Sequence, residues 1–442
     1  MKITYTEIIR IAFPLVLGQL AWTIVGVVDT AFLGHYSATA LAAGGYAGMF
    51  FLLLLMLAHG FTRGAQILMA QSVGEGNPHK VSQLFTNTLF FCLLSGVLLA
   101  AVVWLTADIF FSFILNDRDT IAGCVTFISW RIAGLPAVFL SSVYFAFYTA
   151  LGRTVILMYA TLLLSALNMA LNPVLIFGLY GFPELGIAGS AISSVIAEWV
   201  AFVLVVVASR FAVKPGEFSL YCVADIQAVV LRTIGNTSLP LVVQQLLGVG
   251  GWFLFFAFIE KMSATDLAVS NIIRQIFSVI GIIVFTLGSA TNTIVGQLYG
   301  RKALSSVYPA VCKLIKVGFF TTLFLSLVMY FFSPQLMYLF SPDFVIQQAT
   351  ISVLPIILIA LLIMSVSNVV LNALISLGDT LLALKIEVWA MSLYILYFFG
   401  IFLRPGRSLY LMWTAEWIYW IFILIFVLYY FRKKTADYGK LL

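Results

Sequence analysis

The sequence is poor in charged residues. Only 9% of its 442 residues are Asp, Glu, Lys or Arg, whereas about 25% is usual for a soluble domain. Its three histidines are scattered and its four cysteines have no paired spacing, which argues against a metal centre or a disulfide framework. Most of the Lys and Arg residues lie at segment ends, and they form no basic stripe for nucleic acid. No glycine-rich phosphate loop and no nucleophile elbow is present, so the sequence offers no catalytic motif.

The chain is instead rich in long hydrophobic runs. Hydrophobic residues make up 63% of it. The runs are about 20 residues or longer, the length at which an α-helix crosses the hydrocarbon core of a bilayer. A membrane β-barrel would show short alternating segments. We therefore predict an all-α membrane protein with twelve transmembrane helices, near residues 8–34, 44–71, 83–107, 121–151, 155–179, 186–210, 233–259, 267–297, 306–332, 347–377, 380–402 and 409–431.

The basic residues predict the orientation of these spans. With the amino terminus in the cytoplasm, the inner loops and chain ends carry 14 Lys and Arg residues and the outer loops carry four. Positive charge concentrates on the cytoplasmic side of membrane proteins. We therefore expect a multi-pass protein of the cell (inner) membrane with both termini in the cytoplasm.

The two halves of the chain repeat each other at an offset of 226 residues. "FPLVLGQL" at 13–20 aligns with "LPLVVQQL" at 239–246, and "ALGRT" aligns with "SLGDT" at the same offset. After the fifth span the offset drops to 218, where "AEW" at 197–199 meets "AEW" at 415–417. The chain is therefore predicted to contain two copies of one six-helix unit.

The even number of helices per copy determines how the copies are related. Both copies enter the membrane from the same side, so we predict two six-helix bundles related by a pseudo-twofold axis along the membrane normal. The predicted domains are an amino-terminal lobe at 1–210, a cytoplasmic linker at 211–232 and a carboxy-terminal lobe at 233–442. Transporters built from such repeats bind substrate between the halves and move them for alternating access.

Several motifs resemble a known family over nearly the full length of the chain. They are "IAFPLVLGQL" and "VVDTAFLGH" in the first span, "GFTRGAQILMAQSVGEGN" at the end of the second and beyond it, "RIAGLPAVFL" in the fourth, "NMALNPVLIFG" in the fifth and "LISLGDT" at the end of the tenth. The chain resembles the multidrug and toxic compound extrusion (MATE) transporters. The resemblance implies two six-helix lobes, a central cavity, and efflux of organic compounds driven by H⁺ or Na⁺. Arg63 and "DTAFLGH" resemble the branch of the DNA-damage-inducible F proteins (DinF).

The chain departs from the family at two places that concern the coupling ion. The sodium-coupled branch has carboxylates in its seventh and tenth spans, and the matching positions here are near Gly248 and Asn368, both uncharged. Some members have an Asn and an Asp on the fifth span, where this chain has Asn168 and Asn172. These departures leave Asp29 in the first span as the main candidate for ion coupling.

Asp29 is the only carboxylate within the first five predicted spans. A charge at membrane depth is costly, so such a residue normally faces a cavity or a partner. Gly18, Trp22, Gly26 and Asp29 fall on one helix face, and small residues there allow another helix to approach closely. We expect Asp29 to face the lobe interior, near Asn168 and Asn172. A carboxylate that reaches to the outer surface, or a purely structural hydrogen bond, is the alternative interpretation.

Further polar residues and prolines are candidates for the cavity or for substrate contact. They are Pro14, Gln19, Trp22, Arg63, Ser190, Glu198, Gln245 and Asn368. Pro14 matches Pro240 in the second half and is either a bending point or a helix-start proline. The acids of the late spans, Glu198, Glu387 and Glu416, are expected to pair with Arg131, Arg274 or interfacial lysines.

The predicted function is secondary active multidrug efflux by alternating access, in which cationic or hydrophobic organic compounds exchange for H⁺. The partners are small organic molecules and the lipid bilayer, without nucleic acid, and the protein is expected to act as a monomer without a cofactor. Na⁺ coupling is the first alternative. A flippase for lipid-linked oligosaccharides is the second, and it would need several cavity cations. An intramembrane enzyme or a channel is disfavoured because paired histidines, metal ligands and a pore loop are missing from the sequence.

Overall fold

The computed structural model describes residues 3–212, 218, 225–340 and 342–440. All of the described elements are helical. Twelve of the helical segments are long and apolar enough to cross a membrane, which confirms the prediction of twelve spans. The helices of the first half are α1 (Tyr5–Tyr36), α2 (Ala38–Gly74), α3 (Pro78–Ile114), α4 (Arg118–Arg131), α5 (Leu135–Ala150), α6 (Val155–Phe177) and α7 (Ile187–Ala212).

The second half continues with a similar series of long helices. They are α8 (Ala228–Glu260), α9 (Ala264–Gly300), α10 (Val307–Phe331), α11 (Ser333–Phe340), α12 (Phe344–Ser376), α13 (Thr380–Phe402), α14 (Leu409–Trp413) and α15 (Ala415–Lys440). The predicted linker at 211–232 contains residues 213–217 and 219–224, which lie outside the described part of the chain.

The helices form two compact units. The amino-terminal unit comprises Phe13–Val73 and Asn77–Ser238. The carboxy-terminal unit comprises Leu239–Leu442 together with Met1–Ala12 and Gly74–Gly76. Within the second unit, the Lys313 ammonium donates to the Ile3 carbonyl at 2.7 Å.

Two predicted spans are interrupted in the structure. The fourth consists of α4 and α5 with a 3₁₀ turn at Ile132–Gly134 between them. Pro136 is the second residue of α5. It has no N–H to donate and its ring disfavours a preceding α-helical turn, which explains the change of geometry. The twelfth span consists of α14 and α15. The short helix α11, before the tenth span, was not predicted.

Matched turns in the two halves support the sequence repeat. Gly152 follows α5 with φ +71°, and Gly378 follows α12 with φ +95°. A residue in this left-handed region ends a helix, and glycine adopts it without a steric cost. The repeat pairs these two glycines, so a left-handed glycine ends the corresponding helix in both copies.

Large apolar side chains cover much of the outside of the helices. Leu105 and Phe113 on α3 are 69% and 90% exposed, and Trp389 on α13 is 70% exposed. A soluble protein rarely exposes large contiguous apolar patches. Such surfaces suit helices that face lipid, whereas the polar groups described below lie inside each unit.

Candidate functional site

Helices α1 and α6 approach each other at two levels inside the amino-terminal unit. A Cβ placed on Gly18 would lie 3.5 Å from the Thr161 hydroxyl oxygen, so the two helices are close there. Two turns before the end of α1, Asp29 accepts a hydrogen bond from Asn172. Both contacts join residues separated by 143 positions, so α1 and α6 run parallel in register. The close approach expected at Gly26 is wrong, because nothing lies within 4 Å of a Cβ placed there.

Asp29, Asn168 and Asn172 are brought together as the sequence predicted. The Asn172 amide nitrogen donates to Asp29 Oδ1 and, at 3.0 Å, to Asn168 Oδ1. The two asparagines are one helical turn apart, which places their side chains on the same face of α6. Both are fully buried, whereas Asp29 is half-buried. The carboxylate therefore lies at the open end of a buried chain of amides.

Two serines on α7 complete this chain, and the sequence reasoning missed them. The Ser193 hydroxyl donates to Asn172 Oδ1 at 2.6 Å, and the Asn168 amide nitrogen donates to Ser194 Oγ at 3.0 Å. The adjacent serines in "AISS" were the available signal. Ser165, one turn before Asn168 on α6, donates to the Thr161 carbonyl of its own helix at 2.9 Å.

The serines determine which way the amides point. Because Ser193 donates to Asn172 Oδ1, the nitrogen of Asn172 faces Asp29. Asp29 thus receives a donor, which suits either an ionised carboxylate or the carbonyl oxygen of a protonated one. Within the described residues, no Lys or Arg forms an ion pair with Asp29. A protonated Asp29 would need a new acceptor for its O–H, so its protonation changes the hydrogen bonds between α1 and α6.

A second pair of charged groups in the same unit is neutralised internally. Arg131 donates to both carboxylate oxygens of Glu198, at 2.7 and 2.5 Å, and its guanidinium lies 3.9 Å from the centre of the Phe51 ring. The two side chains are 9% and 3% exposed. The predicted pairing of Glu198 with Arg131 is confirmed. A buried, two-pronged ion pair of this kind leaves neither partner available as a free charge.

Gly134 makes room for this ion pair. A Cβ at this position would lie 2.2 Å from a Glu198 carboxylate oxygen, which is closer than non-bonded atoms come. The 3₁₀ turn at Ile132–Gly134 brings the backbone beneath the pair. The local break in the fourth span therefore positions the salt bridge.

The other candidates occupy varied surroundings. Pro14 and Ser190 are buried, Trp22, Arg63 and Gln245 are half-buried, and Gln19 is exposed. Asn368 is 5% exposed and donates to the Val284 carbonyl at 2.7 Å. Asn368 therefore contributes to packing between α12 and α9 in this structure.

The late acids of the carboxy-terminal unit do not all follow the expected pairing with cations. Glu416 accepts hydrogen bonds from Trp252, Tyr394 and Trp420, and no cation among the described residues pairs with it, so the expected ion pair is wrong there. Glu387 accepts from the Tyr419 hydroxyl. The physical reason is that aromatic N–H and O–H groups surround Glu416 and supply the donors.

Comparisons with known proteins agree with this architecture. The MatE family model matches residues 14–174 and again residues 240–399, which reproduces the 226-residue offset of the repeat. A probable multidrug resistance protein NorM from Thermotoga maritima is 29% identical over 195 residues, covering 44% of this chain and 42% of that protein. One from Synechocystis is 26% identical over 326 residues, covering 72% of this chain and 68% of that protein.

A solved structure resembles the whole fold. The crystal structure of a MATE protein in complex with MaL6 has a TM-score of 0.91 at 19% identity, covering 98% of this chain and 97% of that one. At this identity the likeness shows the fold, while the family model, which covers most of the chain in two matched halves, shows the family. The chain therefore belongs to the MatE family, whose members are multidrug transporters and not enzymes.

Proposed function

We propose that this protein is a secondary active exporter that exchanges organic compounds for protons by alternating access, with Asp29 as the coupling carboxylate. Its substrates are hydrophobic or cationic organic molecules. The protein acts as a monomer in the cell (inner) membrane with both termini in the cytoplasm. The family match is to MatE as a whole, and membership of the DinF-like branch stays a prediction.

The observation that carries this proposal is the environment of Asp29. Its carboxylate is half-buried, has one amide donor from Asn172, and has no ion-pair partner among the described residues. Ionised carboxylates are costly at membrane depth unless paired. Such a group can exchange a proton with solvent and, through Asn172, transmit its charge state from α1 to α6.

The arrangement favours H⁺ over Na⁺. Hard cations bind several oxygen ligands at once. The oxygen of Asn172 accepts from Ser193, and the oxygen of Asn168 accepts from Asn172. The nearest amide group presents N–H to Asp29, which would repel a cation. The described residues also contain no group of three or more His, Cys, Asp or Glu that could hold a metal ion.

These contacts support the following protonation cycle. With Asp29 ionised, Asn172 donates to it and α1 stays attached to α6. Protonation from the outside removes the charge and supplies an O–H that competes for an acceptor, so this attachment weakens and α1, which contains Pro14 within its helix, can bend. The shift of α1 expels the substrate, and the proton leaves to the cytoplasm when the halves change access.

The neutralised Arg131 argues against the flippase alternative. A site for lipid-linked pyrophosphate needs free cations. Only Arg63, Arg131 and Arg274 were candidates in the sequence, and Glu198 neutralises Arg131. The remaining set is small for a doubly charged headgroup.

Transport in proteoliposomes tests the proposal. The purified full chain is reconstituted with ethidium as a flat cationic probe, and either a pH gradient or a Na⁺ gradient is imposed alone. Efflux that follows the pH gradient supports H⁺ coupling. Efflux that follows only the Na⁺ gradient refutes it.

A further inference from the structure

We propose that Glu416, on α15, is a second proton-binding site, located in the carboxy-terminal unit and separate from Asp29. The inference concerns a different carboxyl group in a different half of the chain. It does not rest on the assignment of Asp29 as the coupling residue.

Glu416 is buried inside the unit, and its carboxyl group has defined hydrogen-bond donors. Its side chain is 2% exposed. Its Oε1 accepts from the Trp252 indole and the Tyr394 hydroxyl, each at 3.2 Å, and its Oε2 accepts from the Trp420 indole at 3.2 Å. These donors come from α8, α13 and α15. A single carboxyl group thus links three helices.

The site lacks the counter-charge that its repeat partner has. The sequence repeat pairs Glu416 with Glu198, which is neutralised by Arg131. The position that corresponds to Arg131 is Ile357, a fully buried aliphatic residue of α12. An aliphatic side chain thus lies where the first half has the cation, and Glu416 accepts from neutral aromatic donors instead.

Other titratable groups around Glu416 do not neutralise it. Helix α12 carries no acidic or basic residue, and α8 carries none between Arg232 and Glu260. On α9, Arg274 lies over the Phe256 ring at 5.7 Å and donates to Asn271 at 3.2 Å. On α13, Lys385 is exposed and Glu387 is bound by Tyr419 of α15.

The remaining aromatic hydroxyls of this region also leave Glu416 without a charge partner. The Tyr394 and Tyr419 rings lie 5.7 Å apart, so the two buried acids are joined through a tyrosine pair. Tyr410 of α14 is 49% exposed, and Tyr397 of α13 shares a hydrogen bond of 2.9 Å with Thr414.

The donor set determines what Glu416 can bind. Burial without a cation opposes a charged carboxylate, whereas three donors stabilise it. Both oxygens already have donors directed at them, so a metal or an organic cation would have to displace an indole or a hydroxyl. A proton needs no such space. Indole N–H groups can only donate, and each carboxylate oxygen has two lone-pair sites. A proton on Oε2 therefore weakens the Trp420 bond by removing the negative charge, and a proton on Oε1, which already accepts two hydrogen bonds, competes with Trp252 and Tyr394.

The hydrogen bonds of the two indoles therefore report the protonation state of Glu416. The charge state of one carboxyl alters hydrogen bonds to α8 and α13 at once, which gives the carboxy-terminal unit its own means of responding to proton binding. Infrared difference spectroscopy across a pH titration detects the carboxylic-acid C=O band of such a group, and ultraviolet resonance Raman detects the indole hydrogen bonds.

The test uses the full chain reconstituted in lipid, with Glu416→Gln, Asp29→Asn and Trp389→Phe. We expect the wild type to show a pH-dependent carboxylic-acid band that Glu416→Gln removes and that the other two variants retain, with a matching change in the indole signal. Trp389 is 70% exposed and serves as the matched tryptophan control. A pH-dependent band set that is identical in wild type and Glu416→Gln overturns the proposal.

A second variant keeps the test decisive if Glu416→Gln does not fold. Trp252→Phe preserves Glu416 and removes one of its donors, so the frequency of the Glu416 band should shift while the Asp29 band does not. An unchanged spectrum in Trp252→Phe overturns the proposal. Loss of transport in Asp29→Asn with the Glu416 band intact separates this site from the proposed coupling residue.

Discussion

Three positions that contact one another in both halves carry polar side chains in the first half and aromatic side chains in the second. Asp29, Asn168 and Asn172 correspond through the repeat to Phe255, Tyr394 and Phe398. The second set forms an aromatic cluster with ring centres 5.8, 5.6 and 5.2 Å apart, where the first set forms a hydrogen-bonded chain. The repeat therefore preserves which helices meet and changes what they do there.

The repeat also pairs two buried glutamates that have different partners. Glu198 in the first half is neutralised by Arg131, whereas Glu416 in the second half has only neutral donors. Among the described residues, Asp29 in the first half and Glu416 in the second half form no ion pair, and the two lie at different places in the repeat. In this fold, equivalent positions of the two halves can therefore differ in their ionisable groups although the same helices pack together.

The largest expected effect is on transport by Asp29→Asn. Asparagine keeps the size and the hydrogen-bonding capacity of the side chain but cannot exchange a proton. Gradient-driven efflux of ethidium from proteoliposomes should fall to the level of empty liposomes. The protein should remain folded and inserted, as judged by its yield and its elution as a single species. Efflux at the wild-type rate would contradict the assigned role.

Glu198→Gln and Glu416→Gln should separate the two glutamates by stability. The first leaves the Arg131 guanidinium buried and uncompensated, which costs about 3–5 kcal/mol. The second leaves no charge behind, so its cost should be well below that. Thermal unfolding in detergent measures both. The double variant Arg131→Met, Glu198→Met should recover most of the loss; equal destabilisation by the two single variants would be inconsistent with this account.

Exchanging Gly134 and its repeat partner Ala360 tests how far the packing differs between the two halves. Gly134 corresponds to Ala360. Because a Cβ at Gly134 would collide with Glu198, Gly134→Ala should cost about 1–3 kcal/mol, as overpacked sites do. Ala360→Gly should cost about 1 kcal/mol, the usual helix penalty. Thermal unfolding again provides the measurement, and a harmless Gly134→Ala would mean that the salt bridge has more room than described.

Ser193→Ala should give the smallest effect. It removes the donor that orients Asn172, at a cost of about 1 kcal/mol, and it should slow proton-driven efflux several-fold without abolishing it. Ser165→Ala is the matched control, since that hydroxyl donates only within α6. Equal transport by the two serine variants would show that the orientation of Asn172 does not matter.

The sequence predicted the helices better than their contacts. Hydrophobic length alone located twelve spans, because each span must satisfy its own backbone in lipid. The proximity of Asp29 to Asn172 was predictable from helix-face periodicity together with the resemblance to the family. Ser193 was missed because a serine in a membrane helix usually bonds to its own backbone, and nothing in the sequence marks the one that bonds across.

The surroundings of Glu416 were also beyond sequence reasoning. An acid in a span predicts a partner, and a cation is the obvious one. The structure supplies Trp252 and Tyr394 instead, from helices more than 20 residues away in the chain. Aromatic residues are abundant throughout this sequence, so their number carries no information about which of them meet a carboxylate.

Substrate-induced proton release measures directly whether Asp29 exchanges a proton when substrate binds. Ethidium is added to the purified protein in weakly buffered detergent solution, and the released protons are counted for the wild type and for Asp29→Asn. The account predicts that the wild type releases protons on binding and that Asp29→Asn releases at least one fewer per molecule. Equal release by the two proteins, at equal occupancy by ethidium, would contradict the assignment of Asp29 as the coupling carboxylate.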